Sequence, residues 1–71
     1  MIREQVGQRI KELRLHNGMS QEDFAYKCSL DRTYITSLER GKRNISLLNL
    51  QKIANAFDMT LSQFFDFKRE E

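Results

Sequence analysis

The amino-acid sequence predicts an all-α domain, five short helices packed into one compact unit. Three observations point there. Proline is absent and glycine limited to three residues, so the turn chemistry of a sandwich or barrel is missing. Apolar residues recur at helical spacing. Ser, Thr or Asp precedes four of the five apolar stretches, where a helix start needs a side-chain acceptor.

The first helix carries Val6, Ile10 and Leu13 at i, i+4 and i+7, one buried stripe. Asn17-Gly18 ends it, with Gly18 suited to a left-handed cap. Ser20 opens the second helix with Asp23 three residues on, a weaker form of the capping box. Its apolar face is Met19, Phe24, Ala25 and Cys28. Asp31 is the expected N-cap of the third helix, with Ile35 and Leu38 inward and Gly41 closing it. Ser46 caps a fourth helix, for which Leu47, Leu50, Ile53, Ala54 and Phe57 are expected inward. Thr60 and Gln63 match the capping box and open a short fifth helix bearing Leu61, Phe64 and Phe65.

Only "SLD", residues 29–31, joins the second and third helices, so they must turn sharply against each other. Such a pair is the helix-turn-helix unit, which presents its second helix to the DNA major groove. With Ile35 and Leu38 inward, a 100° step turns Thr33, Thr36, Ser37 and Arg40 outward, with Arg32 and Tyr34 on the flanks. That face is polar, short and free of bulky apolar groups. A solvated face with no partner is the plainer reading of such a helix taken alone.

The turn and the charge distribution favour DNA. The net charge is only +2, yet residues 27–43 hold Lys27, Arg32, Arg40, Lys42 and Arg43 against Asp31 and Glu39, while the tail is slightly acidic. Arg32, Thr33 and Ser37 are the expected base readers, Arg32 toward guanine O6 and N7. Each is worth about 1–3 kcal/mol of discrimination when well placed. Expected phosphate contacts are Gln21, at the start of the second helix, with Thr36, Arg40, Lys42, Arg43 and Asn44 on the other side. Tyr34 either offers its hydroxyl to phosphate or packs its ring on the second helix. Arg14 and Glu39 sit just off their stripes by similar angles and are expected to form a structural ion pair.

Other chemistry is poorly supported. There is no phosphate-cradling Gly loop, no nucleophile with an orienting partner and no metal spacing, so neither an enzyme nor a cofactor is expected. Cys28 is expected in the core and His16 on the surface. One cysteine forms no internal disulfide, and the amphipathic start carries acids unlike a leader peptide; a cytoplasmic protein is expected. No apolar run spans a membrane.

The stretch "MSQEDFAYKCSLDRTYITSLERGKRNISLLNLQKIANAF" resembles the lambda-repressor-like, Cro-type (XRE) helix-turn-helix family, from about Val6 to Phe65. The carrying pattern is "SQ", Ala25 four residues after Gln21, "ERG", then "L-x-x-IA-x-A". The resemblance implies a five-helix DNA-binding domain spanning 1–71, dimeric binding to inverted repeats, Gln21 near phosphate and a pair equivalent to Arg14 and Glu39. "LDRTYI" followed by "ERGKRNISLLNL" resembles restriction-modification controller proteins, which regulate their own operator. Ser29 stands where the family often has Gly, and Cys28 where a small Ala is usual.

The expected partners are therefore double-stranded operator DNA and a second copy, with RNA polymerase left open. No small-molecule ligand is expected, since no second domain is present to hold one. Phe57, Phe64, Phe65 and Phe67 crowd the C-terminal end, more aromatic surface than a small core needs. Asn49, Lys52, Phe65 and Phe67 are the candidate interface residues, although all four phenylalanines could instead be core or tail. A phage-type repressor or antitoxin regulator is the alternative within DNA binding, and a protein-interaction module the alternative outside it.

Overall fold

The computed structural model describes residues 1–67; residues 68–71, including the acids that close the tail, lie outside them. Five helices follow in order: α1 (Ile2–His16), α2 (Gln21–Cys28), α3 (Arg32–Glu39), α4 (Leu47–Ala56) and α5 (Leu61–Phe64). No strand occurs among the described residues.

Local chemistry sets most helix starts. Ser20 Oγ accepts from the Asp23 N–H at 3.0 Å while Asp23 accepts from the Ser20 N–H at 3.2 Å. Thr60 and Gln63 repeat the exchange at α5, and Ser46 accepts from the Asn49 N–H at 3.1 Å. Each satisfies donors that a helix start would otherwise leave unpaired. Asp31 departs from expectation. It holds the N-cap position of α3 with extended backbone, but its carboxylate makes no cap bond and accepts the Thr33 hydroxyl instead. A short acidic side chain has both options within reach.

Four helices end alike. Gly18, Ser29, Gly41 and Asp58 all have φ between 56° and 72°. The next N–H reaches back five residues: Met19 to Arg14, Leu30 to Ala25, Lys42 to Ser37 and Met59 to Ala54, at 2.9–3.1 Å. This is the Schellman closure, which favours Gly because a Cβ crowds the following carbonyl in left-handed backbone. Ser29 and Asp58 pay that steric cost; Gly18 and Gly41 avoid it.

The helices enclose one core, in which Ile10, Phe24, Ile35, Leu38, Ile53 and Phe64 are fully buried. Phe57 stacks on Phe24 with centroids 4.7 Å apart and planes at 14°. Helix α1 lies so close on α3 that a Cβ at Gly7 would stand 2.2 Å from the Leu38 carbonyl oxygen. Arg9 donates to the carbonyls of Phe64 and Gln63, both at 2.7 Å, fastening α5 to α1. Leu13 and Met19 are half-buried at the edge. Leu47 is corrected outright: expected inward, it is 79% exposed, and Leu48 beside it is 70% exposed. Helix α4 packs chiefly on α2 and α5, and the side of its first turn that carries Leu47 and Leu48 is left uncovered. No helix among the described residues is long and apolar enough to cross a membrane.

Candidate nucleic-acid interface

A polar network seats α3 on its neighbours. Arg14 is buried at 7% exposure, deeper than a position just off the stripe would suggest. Its guanidinium donates to Glu39 Oε2 at 2.7 Å and Oε1 at 3.0 Å, a two-pronged pair, and to the Met19 carbonyl at 2.9 Å. The hydrogen bond to Glu39 raises the Arg14 pKa, burial opposes it and the Glu39 charge adds to the rise. Gln21 extends the network, donating to Glu39 Oε1 at 3.1 Å and accepting from the Thr36 hydroxyl at 2.9 Å. Thr36 also reaches the Arg32 carbonyl at 3.1 Å. Three helices are thus locked by groups that leave no buried side-chain polar atom unsatisfied among the described residues.

The network changes the picture of two expected phosphate contacts. Thr36 was expected outward, yet it is half-buried in the seam between α2 and α3. Gln21 has one amide hydrogen committed and keeps one for an outside acceptor.

What α3 leaves open lies beside this seam. Arg32 and Thr33 are exposed at its start, with the Thr33 hydroxyl engaged by Asp31. Ser37 is half-buried one turn further on, and Arg40, Lys42, Arg43 and Asn44 are exposed at its end and in the following loop. Tyr34 is half-buried, and neither of its two expected roles describes its contacts fully. The Arg43 guanidinium lies 5.0 Å from its ring centroid, and its hydroxyl accepts from Asn49 Nδ2 of α4 at 3.2 Å. Tyr34 thus ties the loop, through Arg43, to α3 and, through Asn49, to α4.

The four candidate interface residues come from two places, Asn49 and Lys52 on α4 and Phe65 and Phe67 at the end of α5 and just beyond it. Asn49 is engaged with α3 through Tyr34, and Lys52 borders the groove against Lys27 and Cys28 of α2 and the following Ser29. Phe65 lies on the α5 side, in edge contact with Phe64 and Phe67. Leu47 and Leu48 add exposed apolar surface at the start of α4 that the inward stripe does not anticipate. Two adjacent leucines at a helix start are a usable signal, since residues 100° apart cannot both sit on a narrow buried stripe. Among the described residues, no cluster of three or more His, Cys, Asp or Glu is placed to hold a metal ion.

Comparison with known proteins decides the family. A family model described as helix-turn-helix matches residues 10–64. The chain belongs to the helix-turn-helix family. This helix-turn-helix chain is 46% identical to the control protein C.MunI of Mycoplasma sp over 97% of its own length and 96% of that protein's. Its fold matches the crystal structure of the restriction-modification controller C.AhdI from Aeromonas hydrophila with TM-score 0.84 and 44% identity, covering 89% of this chain and 96% of that one. It also matches the controller C.Esp1396I, crystallised as a tetramer with its natural 35 base-pair operator, with TM-score 0.85 and 41% identity over 93% of this chain and 87% of that one. Within the helix-turn-helix family the chain is a DNA-binding transcription regulator, with α2 and α3 as its paired helices.

Proposed function

We propose that this regulator is the controller of a restriction-modification system, binding an inverted-repeat operator as a homodimer. The observation that carries it is the open face of α3: Arg32, Thr33 and Ser37 along one side, the Arg43–Tyr34 stack beside them, and Lys42 and Arg40 at the end. Near-full-length similarity to controllers, one of them crystallised on an operator, supports the regulatory role.

Arg32, Thr33 and Ser37 read base edges, since the start of the second helix of such a unit enters the major groove. Arg40, Lys42, Arg43, Asn44 and the free amide hydrogen of Gln21 take phosphates. Tyr34 joins them through its hydroxyl. The Arg14–Glu39 pair acts indirectly, by holding α3 at a fixed angle.

One such domain offers few phosphate contacts, so a second copy is part of tight binding. It sets two recognition helices roughly 34 Å apart on a pseudo-palindrome. Leu47, Leu48 and Phe65 give an apolar surface toward the C-terminal helices for that contact. Phe67 is in edge contact with Phe65, and Lys52 follows Leu48 by four residues on the same side of α4. A DNA target supports a cytoplasmic location.

The test is fluorescence anisotropy with a duplex covering the DNA immediately upstream of the chain's own gene. A Kd at least about a thousandfold below that for an unrelated duplex is expected of specific binding. Equal affinity for both duplexes would overturn the proposal.

A further inference from the structure

We propose that Asn49 is a positioning residue for DNA recognition: it occupies the acceptor side of the Tyr34 hydroxyl and so makes that hydroxyl an outward donor. The inference rests on the DNA-reading role of α3 and goes beyond it, because it assigns a direction to one hydrogen.

Asn49 is half-buried and fixed at the third residue of α4, where its backbone N–H is held by Ser46 Oγ at 3.1 Å. From there Nδ2 lies 3.2 Å from the Tyr34 oxygen. An amide nitrogen can only donate, so the phenol oxygen accepts and its own hydrogen must point elsewhere. The ring cannot easily swing away. It is half-buried against the core, and the Arg43 guanidinium sits over one face at 5.0 Å. Tyr34 is two residues after Arg32 and one after Thr33, on the recognition helix itself.

The direction matters because of what DNA presents. Phosphate oxygens, guanine O6 and N7 and thymine O4 are all acceptors. A hydroxyl already supplied with a donor from behind meets them with its hydrogen forward. Were the Asn49 amide turned over, its oxygen would take that hydrogen and leave Tyr34 with only lone pairs toward an acceptor-rich surface. The two orientations have opposite consequences for binding, which makes the assignment testable.

The decisive substitution is Asn49→Asp, compared in the natural chain and in a Tyr34→Phe chain, using the full-length protein and an operator duplex selected from random DNA. A carboxylate draws the Tyr34 hydrogen inward. It also adds a charge that repels DNA, and the Tyr34→Phe background isolates that second effect. In the first turn of α4 an acid favours the helix, so folding should hold, as thermal melting will verify. Asn49→Asp is expected to weaken binding about tenfold more when Tyr34 is present than when Phe replaces it, the loss of one hydrogen bond to a charged or strongly polar acceptor. Asn49→Leu, which removes the donor without adding charge, is expected to lose less than Asn49→Asp.

Equal losses from Asn49→Asp in the two backgrounds would overturn the inference. So would dissociation of the dimer by either Asn49 variant, which would make Asn49 an interface residue. If the natural chain selects no duplex at all, the proposed function fails and this inference falls with it. If it selects an operator yet shows no coupling, only this inference fails. Equal coupling on operator and unrelated duplexes would identify a phosphate as the acceptor. Coupling confined to the operator, with a changed preference at one base pair, would identify a base edge; either result supports the donor role.

Discussion

Gln21 Nε2 donates to Glu39 Oε1 at 3.1 Å, joining the first residue of α2 to the last residue of α3. The same Glu39 oxygen accepts from Arg14 at 3.0 Å, so one carboxylate ties α1, α2 and α3 together. Two helices of eight residues each would be marginal alone. Packing and this network hold them at one angle, and the angle decides which side chains reach a groove.

Glu39→Ala should be strongly destabilising. It leaves the Arg14 guanidinium buried without its counter-charge, a loss of about 3–5 kcal/mol. In a domain this small each kcal/mol moves Tm by about 4–8 °C, so thermal melting should show a fall of more than about 12 °C. Replacing both partners, Arg14→Met with Glu39→Leu, should cost clearly less, since no buried charge is left alone. An unchanged Tm for Glu39→Ala would remove the pair from the fold's energetics.

Ser29→Gly should stabilise. Ser29 closes α2 at φ 59° and ψ 41°, where its Cβ is unfavourable. Relief of that strain outweighs the extra freedom of Gly in the unfolded chain, for a net gain of about 0.5–1 kcal/mol. Gly18→Ala at φ 69° should act in the opposite direction. Urea denaturation of both variants measures the two signs.

Cys28 should make stability fall at high pH. Burial pushes its thiol above the ordinary value of 9.0, outweighing the opposing influence of backbone hydrogen bonds and of Lys52. The native state therefore keeps its proton where the unfolded chain loses it, and stability falls as the unfolded state binds fewer protons. The contribution is fully present below pH 9.0 and is lost above it, by up to about 1.4 kcal/mol per pH unit until the native thiol ionises. Denaturation between pH 8 and 10.5, with Cys28→Ala for comparison, isolates this slope. A thiol reagent should react at neutral pH only as fast as the domain opens.

Arg32→Ala and Lys42→Ala should separate reading from holding. Loss of Arg32 should cost about 1–3 kcal/mol on the operator and relax the preference at one base pair. Loss of Lys42 should weaken all duplexes alike and reduce the salt slope by about one. Binding titrations at several salt concentrations, on operator and single-base variants, distinguish the two.

The parts of this fold legible in the sequence are those whose partners lie close along the chain. Ser20 with Asp23 and Thr60 with Gln63 are three residues apart, and each pair forms the reciprocal cap its spacing suggests. The Arg14–Glu39 pair was legible at longer range because both positions flank a buried stripe at similar angles. Tertiary placement decided the remainder. Nothing local to Arg9 indicates that it would bond carbonyls 54 and 55 residues away. Asn49 has a position on its helix suited to several roles, and only the approach of α3 gives it the Tyr34 hydroxyl. Leu47 fits the inward stripe of α4 by angle, but among the described residues no element extends far enough to cover it. Asp31 shows the limit even for local signals, since its carboxylate had a hydroxyl and backbone donors to choose between.

The most direct test is selection of bound duplexes from a random-sequence pool at near-physiological salt, carried out at several protein concentrations. Enrichment of an inverted repeat with half-sites about one helical turn apart is expected of a dimer presenting two α3 helices. A pool that remains random at every concentration would contradict sequence-specific recognition by this face.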